Sequence, residues 1–170
     1  MKLKDTLVAA TAAILLLVLT YLWLSDDGIK VAPTIDITLL DGKILSLKDL
    51  RGQPVLVTFW ATTCIGCRRE VPHLIALYNK YQPQGLEIVA IAMYYDPPAQ
   101  VLTFKQQKNL PYTVALDLKN EAAQAFGGVR LTPTTFVINK KGRIVFQKIG
   151  EFNVEAMDTL IKGLIAEPKA

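Results

Sequence analysis

The sequence predicts one α/β domain, a mixed sheet flanked by helices, that follows a single membrane-spanning segment. Three observations support this prediction. Apolar runs typical of buried strands alternate with helical patterns through residues 34–170. The order ends in a hairpin pattern and an amphipathic helix, which adds antiparallel pairs to a parallel sheet. An uncharged apolar stretch, Leu7–Leu24, precedes the domain.

The stretch Leu7–Leu24 has the length and flanking charges of a membrane anchor. As a helix it measures about 27 Å, close to the hydrocarbon core of a bilayer. Lys2 and Lys4 precede it, and Asp26 and Asp27 follow it. The positive-inside rule therefore puts the N-terminus in the cytoplasm and the rest of the chain outside.

A cleaved signal peptide is the alternative for this stretch. Its apolar core is usually only about 7–15 residues and ends in a small-residue cleavage site, which is missing here. We therefore expect a retained single-pass signal anchor in the inner membrane. The predicted organisation is cytoplasmic residues 1–6, the anchor at 7–24, a tether at 25–33 and a domain at 34–170 on the periplasmic side.

The first elements of the domain each have a local signal. Thr34–Leu40 and Lys43–Leu47 alternate around Asp41-Gly42, which predicts a hairpin. Pro54–Trp60 is a nearly continuous apolar run, as expected for a central strand buried on both faces. A helical pattern follows over about Ile65–Tyr81.

The later elements alternate in the same way. Gly127-Gly128 ends a short helix, and Lys140-Lys141-Gly142 joins two strands. In chain order we expect a strand at Leu86–Met93, a helix at Pro98–Lys108, a strand at Tyr112–Leu116, a helix at Glu121–Phe126, strands at Thr134–Asn139 and Arg143–Ile149, and a helix at Val154–Ile165.

Charge and glycine patterns argue against nucleic acid and nucleotide ligands. The chain has 19 basic and 15 acidic residues, and its basic residues are scattered rather than collected in a run. Gly127-Gly128 follows a helix instead of opening one, so it is not a phosphate-binding loop. We expect no cofactor and no nucleic-acid partner.

Cys64 and Cys67 are the only cysteines, and three uses compete for them. A disulfide over so short a loop stabilises a fold by only about 2 kcal/mol, which argues against a structural role. Zinc needs about four ligands, and His73 is the only histidine, so we expect no metal. A buried strand followed by Cys-x-x-Cys at a helix start is the arrangement that redox chemistry needs, because the helix N-terminus favours a thiolate.

This reading gives the two cysteines different roles. Only the first cysteine of such a turn is normally exposed, so we expect Cys64 to be the nucleophile and Cys67 the resolving thiol. Cys64 attacks a partner's disulfide, and Cys67 then releases the reduced partner from the mixed disulfide. The sequence therefore predicts a thiol:disulfide oxidoreductase.

The same motifs carry a family resemblance. FWATTCIGC with the later Pro72, and TPTTFVI near the end, resemble thioredoxin. The chain is more similar to the membrane-anchored TlpA/ResA-like branch, which includes the cytochrome c maturation thioredoxins, over about residues 31–167. The leading hairpin looks like that branch's N-terminal extension, and the helix at 98–108 looks like its central insertion. The resemblance implies a thioredoxin-like fold.

The resemblance also implies roles for individual residues. Trp60, Thr132 and Pro133 are expected to bind the substrate. Trp60 is the aromatic wall beside the active turn, Pro133 is a cis-proline packed against the disulfide, and Thr132 offers its backbone to an extended substrate segment. Thr58 stands where cytoplasmic thioredoxins have a buried aspartate. Glu87 is then expected to lie near the cysteines and to accept the resolving thiol's proton.

Two departures from the family pattern concern the active turn. Thr63 stands where the family usually has tryptophan, and Ile65-Gly66 separates the cysteines where x-Pro is common. The first changes part of the docking surface, and the second loosens the turn. The sequence leaves the direction of electron flow open.

The function that the resemblance implies is reduction of disulfides in exported proteins, such as apocytochrome c, with recharging by a membrane electron donor. A thiol oxidase is an alternative. A peroxiredoxin-like thiol peroxidase is another, but such enzymes need a threonine three residues before the reactive cysteine, and Ala61 is there. A copper carrier on the same fold is a third alternative. It usually needs a wider cysteine spacing and a later histidine, and no histidine follows His73.

Overall fold

The computed structural model describes residues 11–20 and 31–168. Residues 31–168 contain a seven-stranded mixed sheet with the order β2-β1-β5-β4-β3-β6-β7. The strands are β1 (Asp36–Leu39), β2 (Ile44–Ser46), β3 (Val55–Trp60), β4 (Glu87–Ala92), β5 (Thr113–Leu116), β6 (Thr134–Ile138) and β7 (Ile144–Ile149).

Four helices join or flank these strands: α1 (Ile65–Tyr81), α2 (Pro98–Lys108), α3 (Glu121–Ala125) and α4 (Val154–Ala166). Two short 3₁₀ helices lie at Leu47–Leu50 and Gln82–Gln84, and residues 11–20 are also helical. Every predicted strand and helix of the domain is confirmed, with bounds within two residues of those expected. The predicted thioredoxin-like architecture, with its leading hairpin and inserted α2, is present.

The strand β3 lies at the centre of the sheet and is buried on both faces. It runs parallel to β4 and antiparallel to β6. Leu56 and Trp60 face a core layer formed with α1, α2 and α4, while Val57 and Phe59 face a second layer with α3. Burial on both faces explains why this strand is apolar at nearly every position.

The register of β3 and β4 defines two edges of the sheet. Trp60 pairs with Ala92 at the edge where both strands end, and Val55 pairs with Glu87 at the edge where both begin. The six residue pairs of β3 and β4 span the distance between these edges, which is about 16 Å for five steps of 3.3 Å. The chain leaves β3 at the first edge and enters α1 there.

Within residues 11–20 and 31–168, no helix is both long and apolar enough to cross a membrane. The predicted anchor at Leu7–Leu24 lies partly outside the described residues. The predicted cytoplasmic residues 1–6 and most of the predicted tether lie outside them as well.

Candidate active site

The two cysteines form a disulfide across the first turn of α1. Their Cα atoms are 5.3 Å apart. Cys64 is the N-cap of the helix, and its Sγ accepts a hydrogen bond of 3.1 Å from the Cys67 N–H. The Cys64 N–H donates to the Ala61 carbonyl at 3.1 Å, which closes the turn between β3 and α1. A sulfur at this position receives the partial positive charge of the helix N-terminus.

The two sulfurs differ in their access to solvent. Cys64 is half-buried, whereas Cys67 is only 3% exposed and belongs to the core layer beneath α1. A molecule that approaches from outside therefore meets the Cys64 side of the disulfide first.

A small cavity lies behind Cys67. Its volume is about 10 Å³, about what one water needs, and it is lined in part by Thr58, Trp60, Glu70 and Tyr112. Thr58 is buried and accepts a hydrogen bond of 3.1 Å from the hydroxyl of Thr135. The resolving side of the disulfide thus faces a small enclosed space.

Glu70 is the carboxyl group of this cavity. It is 3% exposed and lies one helical turn beyond Cys67 on the buried face of α1. Burial raises the pKa of Glu70 to about 7, and the charge of Glu151 acts in the same direction, while a hydrogen bond of 2.9 Å from the Phe152 N–H opposes the rise. Burial, with the charge of Glu70, also raises the pKa of Tyr112.

Glu70 is not among the site residues predicted from the sequence, although the sequence carries a signal for it. Glu70 follows Cys67 by three positions and precedes Leu74 by four, so it interrupts the apolar stripe of a helix that packs on the sheet. A carboxyl group in such a stripe is costly to bury as a charge, and this cost is the physical origin of its raised pKa.

A proline lies against the outer side of the turn. The Thr132–Pro133 peptide bond is cis. A Cβ placed on Gly66 would lie 3.3 Å from Pro133 Cδ and 3.3 Å from Glu151 Oε1, so a side chain there would crowd both residues. Within the described part of the chain, neither backbone group of Thr132 is bonded to another backbone group.

Three consecutive residues after β7 bond to the cis-proline and to the charged residues of α1. The Gly150 N–H donates to the Pro133 carbonyl at 2.8 Å, and the Phe152 N–H donates to Glu70. Between them, Glu151 forms an ion pair with Arg69, whose Nε is 3.2 Å from both carboxylate oxygens. This pairing lowers the pKa of Glu151 and raises that of Arg69, so both side chains stay charged.

Comparison with known proteins agrees with this geometry. Residues 29–147 match the AhpC/TSA family. The chain is 38% identical over 133 residues to the thiol-disulfide oxidoreductase ResA of Bacillus thuringiensis (strain Al Hakam), which covers 78% of this chain and 76% of the relative. This chain is a thiol-disulfide oxidoreductase of the AhpC/TSA family.

Solved structures confirm the thioredoxin-like fold of this oxidoreductase. A putative thioredoxin from Neisseria meningitidis aligns with a TM-score of 0.73 and 33% identity, over 78% of this chain and 88% of that one. A putative thiol:disulfide interchange protein DsbE from Chlorobium tepidum aligns with a TM-score of 0.74 and 28% identity, over 81% and 97% of the two chains.

The structure does not bring Glu87 to the redox pair of the oxidoreductase, so the predicted proximity is wrong. Glu87 begins β4 at the far edge of the sheet, where its carboxylate accepts a hydrogen bond of 2.8 Å from the Thr113 hydroxyl. Its charge acts on Tyr78, which lies 11 residues beyond Cys67 along α1. In parallel strands the carboxyl ends share an edge, and Glu87 lies at the other end of its strand.

The other predicted site residues lie around the turn of the oxidoreductase. Trp60 is beside it, but it is 4% exposed and packs on Phe104 with ring centroids 5.2 Å apart, so it faces the core rather than a docked partner. Thr63 is exposed at the rim of the turn, and Ala61 is buried. Among the described residues, no three His, Cys, Asp or Glu side chains form a cluster that could hold a metal.

Proposed function

We propose that this oxidoreductase reduces disulfides in exported proteins, such as apocytochrome c before haem attachment. The observation that carries the proposal is the asymmetry of the redox pair. Cys64 is accessible at the start of α1, while Cys67 is buried beside a carboxyl group whose pKa is about 7. An accessible attacking thiol and an enclosed resolving thiol with its own proton acceptor suit the release of a reduced partner.

The first step uses Cys64. In the dithiol form, the Cys64 thiolate, favoured by the N-terminus of α1, attacks one sulfur of the partner's disulfide. A Cys64–partner disulfide forms, and the partner's other sulfur leaves as a thiolate and takes up a proton. The extended segment of the partner is then proposed to lie along the backbone of Thr132 and the ring of Pro133, between the exposed side chains of Ile65 and Leu131.

The second step uses Cys67 and Glu70. The Glu70 carboxylate accepts the proton of the Cys67 thiol, and the Cys67 thiolate attacks the Cys64 sulfur. The Cys64–Cys67 disulfide forms, and the partner's second sulfur leaves reduced, so that two electrons have passed to the partner. Glu70 replaces Glu87 as the proposed proton acceptor because it shares the cavity with Cys67. Trp60 is proposed to support this cavity.

The location of this reaction is also a proposal. The apolar stretch at 7–24 and the basic residues before it favour a single-pass anchor with the domain outside the cytoplasm. A protein that gives electrons away there must regain them, so we propose a membrane protein as the electron donor. That donor reduces the Cys64–Cys67 disulfide by the same two steps in reverse.

The redox potential of the full-length protein, equilibrated in glutathione and dithiothreitol buffers, tests the direction of electron flow. A reductant has a potential well below about −200 mV, whereas a strong oxidant lies near −120 mV. We expect the first value. A potential of about −120 mV would make the protein a thiol oxidase and would contradict the proposed reduction of disulfides.

A trapping experiment tests the two cysteine roles and the proposed substrate. Cys67→Ser cannot resolve the mixed disulfide, so it should accumulate a covalent adduct through Cys64 with an oxidised Cys-x-x-Cys-His peptide, the haem-attachment motif of c-type cytochromes. The measurement is the mass of the intact adduct and of its peptic fragments.

Cys64→Ser is the matched control and should form no adduct, because the remaining thiol is buried. An adduct through Cys67 would reverse the assigned roles of the two cysteines.

A peroxide assay tests the alternative peroxidase activity. The reduced wild-type protein should turn over hydrogen peroxide slowly, since Ala61 offers no hydroxyl three residues before Cys64. Fast peroxide turnover would favour the peroxidase instead.

A further inference from the structure

Asp96 is a buried acidic residue that the proposed chemistry does not use. It is 5% exposed and lies in the loop between β4 and α2. Its Oδ2 accepts a hydrogen bond of 2.6 Å from the Thr62 N–H, and its Oδ1 accepts one of 2.7 Å from the Thr62 hydroxyl. Among the described residues, no basic side chain forms an ion pair with it. A buried carboxylate is costly unless its oxygens accept hydrogen bonds. Here a single residue, Thr62, donates to both oxygens of Asp96.

The residue that binds Asp96 lies two positions before Cys64. The ladder between β3 and β4 continues past its last strand pair, because the Met93 N–H donates to the Trp60 carbonyl at 3.0 Å. The Asp96–Thr62 hydrogen bonds extend this connection into the loop, and the Cys64 N–H then bonds to Ala61. The segment between β3 and the nucleophile is therefore held by hydrogen bonds at Trp60, Thr62 and Cys64.

The usual structural explanation for such an aspartate does not apply. An aspartate before a helix commonly caps it. However, α2 has Pro97 at its N-cap and no side-chain cap. Asp117, which follows β5 in the same way and is 4% exposed, shows the contrast, since it accepts hydrogen bonds of 2.9 Å from the N–H groups of Ala122 and Ala123 at the start of α3.

We propose that Asp96 is a positioning residue for Cys64. It holds the loop of residues 61–63 through Thr62 and so keeps the Cys64 sulfur at the N-terminus of α1, where the Cys67 N–H reaches it. A loosened loop lets the sulfur leave this position and lose the stabilisation of its thiolate. The inference rests on the proposed role of Cys64 as the attacking thiol.

The test is the pH profile of iodoacetamide alkylation of the reduced full-length protein, with the modified cysteine identified by mass spectrometry. Asp96→Asn and Asp96→Ala both remove the charge, but only asparagine keeps an oxygen acceptor for Thr62. The difference between these two variants therefore isolates the hydrogen bonds from the charge. We expect the midpoint for Asp96→Ala to lie about one pH unit above that for Asp96→Asn. Arg68, Arg69, Glu70 and Glu151, the other charged groups around the turn, are the same in both variants.

Thr62→Val gives a second test that leaves the Asp96 charge in place. It removes only the hydroxyl bond, so its midpoint should rise above that of the wild type by less than the difference between Asp96→Ala and Asp96→Asn. Thr62→Ser should restore the wild-type profile. Asp117→Ala is the control for general destabilisation. It should lower the melting temperature and leave the alkylation midpoint unchanged.

The outcomes separate this inference from the proposed function. If Cys64 is the alkylated thiol but Asp96→Ala and Asp96→Asn share one midpoint, Asp96 does not position it. An equal shift in Asp117→Ala would show that the effect is general loosening, and the inference would again fail. If Cys67 reacts first in the wild-type protein, the proposed role of Cys64 fails whatever the Asp96 variants do.

Discussion

The carboxyl groups of Glu70 and Glu87 occupy opposite ends of the same sheet, and burial raises the pKa of both. At the end where β3 and β4 finish, Glu70 shares a cavity with Cys67. At the end where they begin, Glu87 is half-buried and bound to Thr113. The two show that a raised pKa marks burial, and that chemistry also requires a reacting atom within reach.

The largest difference between the two carboxylates should appear in the rate of partner release. Glu70→Gln keeps an oxygen for the Phe152 N–H but cannot accept the Cys67 proton. General base catalysis typically contributes 10²-fold or more, so release of a peptide from a preformed Cys64 mixed disulfide should slow by about 100-fold. Single-turnover release, followed by the fluorescence of a labelled peptide, measures this rate.

Glu87→Gln is the matched variant, and its release rate should stay within about twofold of wild type. The pH dependence adds a second criterion. The wild-type rate should rise as Glu70 loses its proton around pH 7, and Glu70→Gln should lose that rise. Equal slowing in both variants would contradict the assignment of Glu70 as the proton acceptor.

The two ends of the sheet also differ in how far the sequence could predict them. The strands and helices were predictable because each has a local pattern, such as the continuous apolar run of β3 and the Cys-x-x-Cys at a helix start. The end of the sheet that carries the cysteines could not be predicted from local patterns alone. Glu70 is buried by Tyr112 and Phe152, which come from distant segments, and no local pattern shows those contacts.

The misplacement of Glu87 has a different cause. A strand pattern gives the alternation of faces but not which end of the strand meets the active turn. Because β3 and β4 are parallel, their carboxyl ends meet at one edge, and that rule alone would have placed Glu87 at the other edge. The role of Asp96 was hidden for a third reason, since its partner Thr62 is 34 residues away in sequence.

The smaller difference between the two carboxylates should appear in stability, where both have an effect. The pKa of Glu70 is about 7 in the folded protein against 4.5 for an ordinary glutamate. Between these values the unfolded chain has lost its proton while the folded one keeps it, so rising pH favours unfolding. At about 1.36 kcal/mol per pH unit, the oxidised protein should lose up to about 3 kcal/mol between pH 4.5 and 7.

Urea unfolding of the oxidised protein at several pH values measures this loss, because the disulfide keeps both cysteines from titrating. Glu70→Gln should flatten the slope over that window, and its free energy of unfolding should exceed that of the wild type most clearly above pH 7. Glu87→Gln should remove a smaller slope of the same sign, because burial also raises the pKa of Glu87 but its side chain is only half-buried. A wild-type slope that persists in Glu70→Gln would mean that Glu70 is already ionised in the folded protein. Glu70 would then not be able to exchange a proton near pH 7. If the slope is lost in Glu87→Gln instead, Glu87 at the far end of the sheet is the carboxyl group that causes the pH dependence of stability.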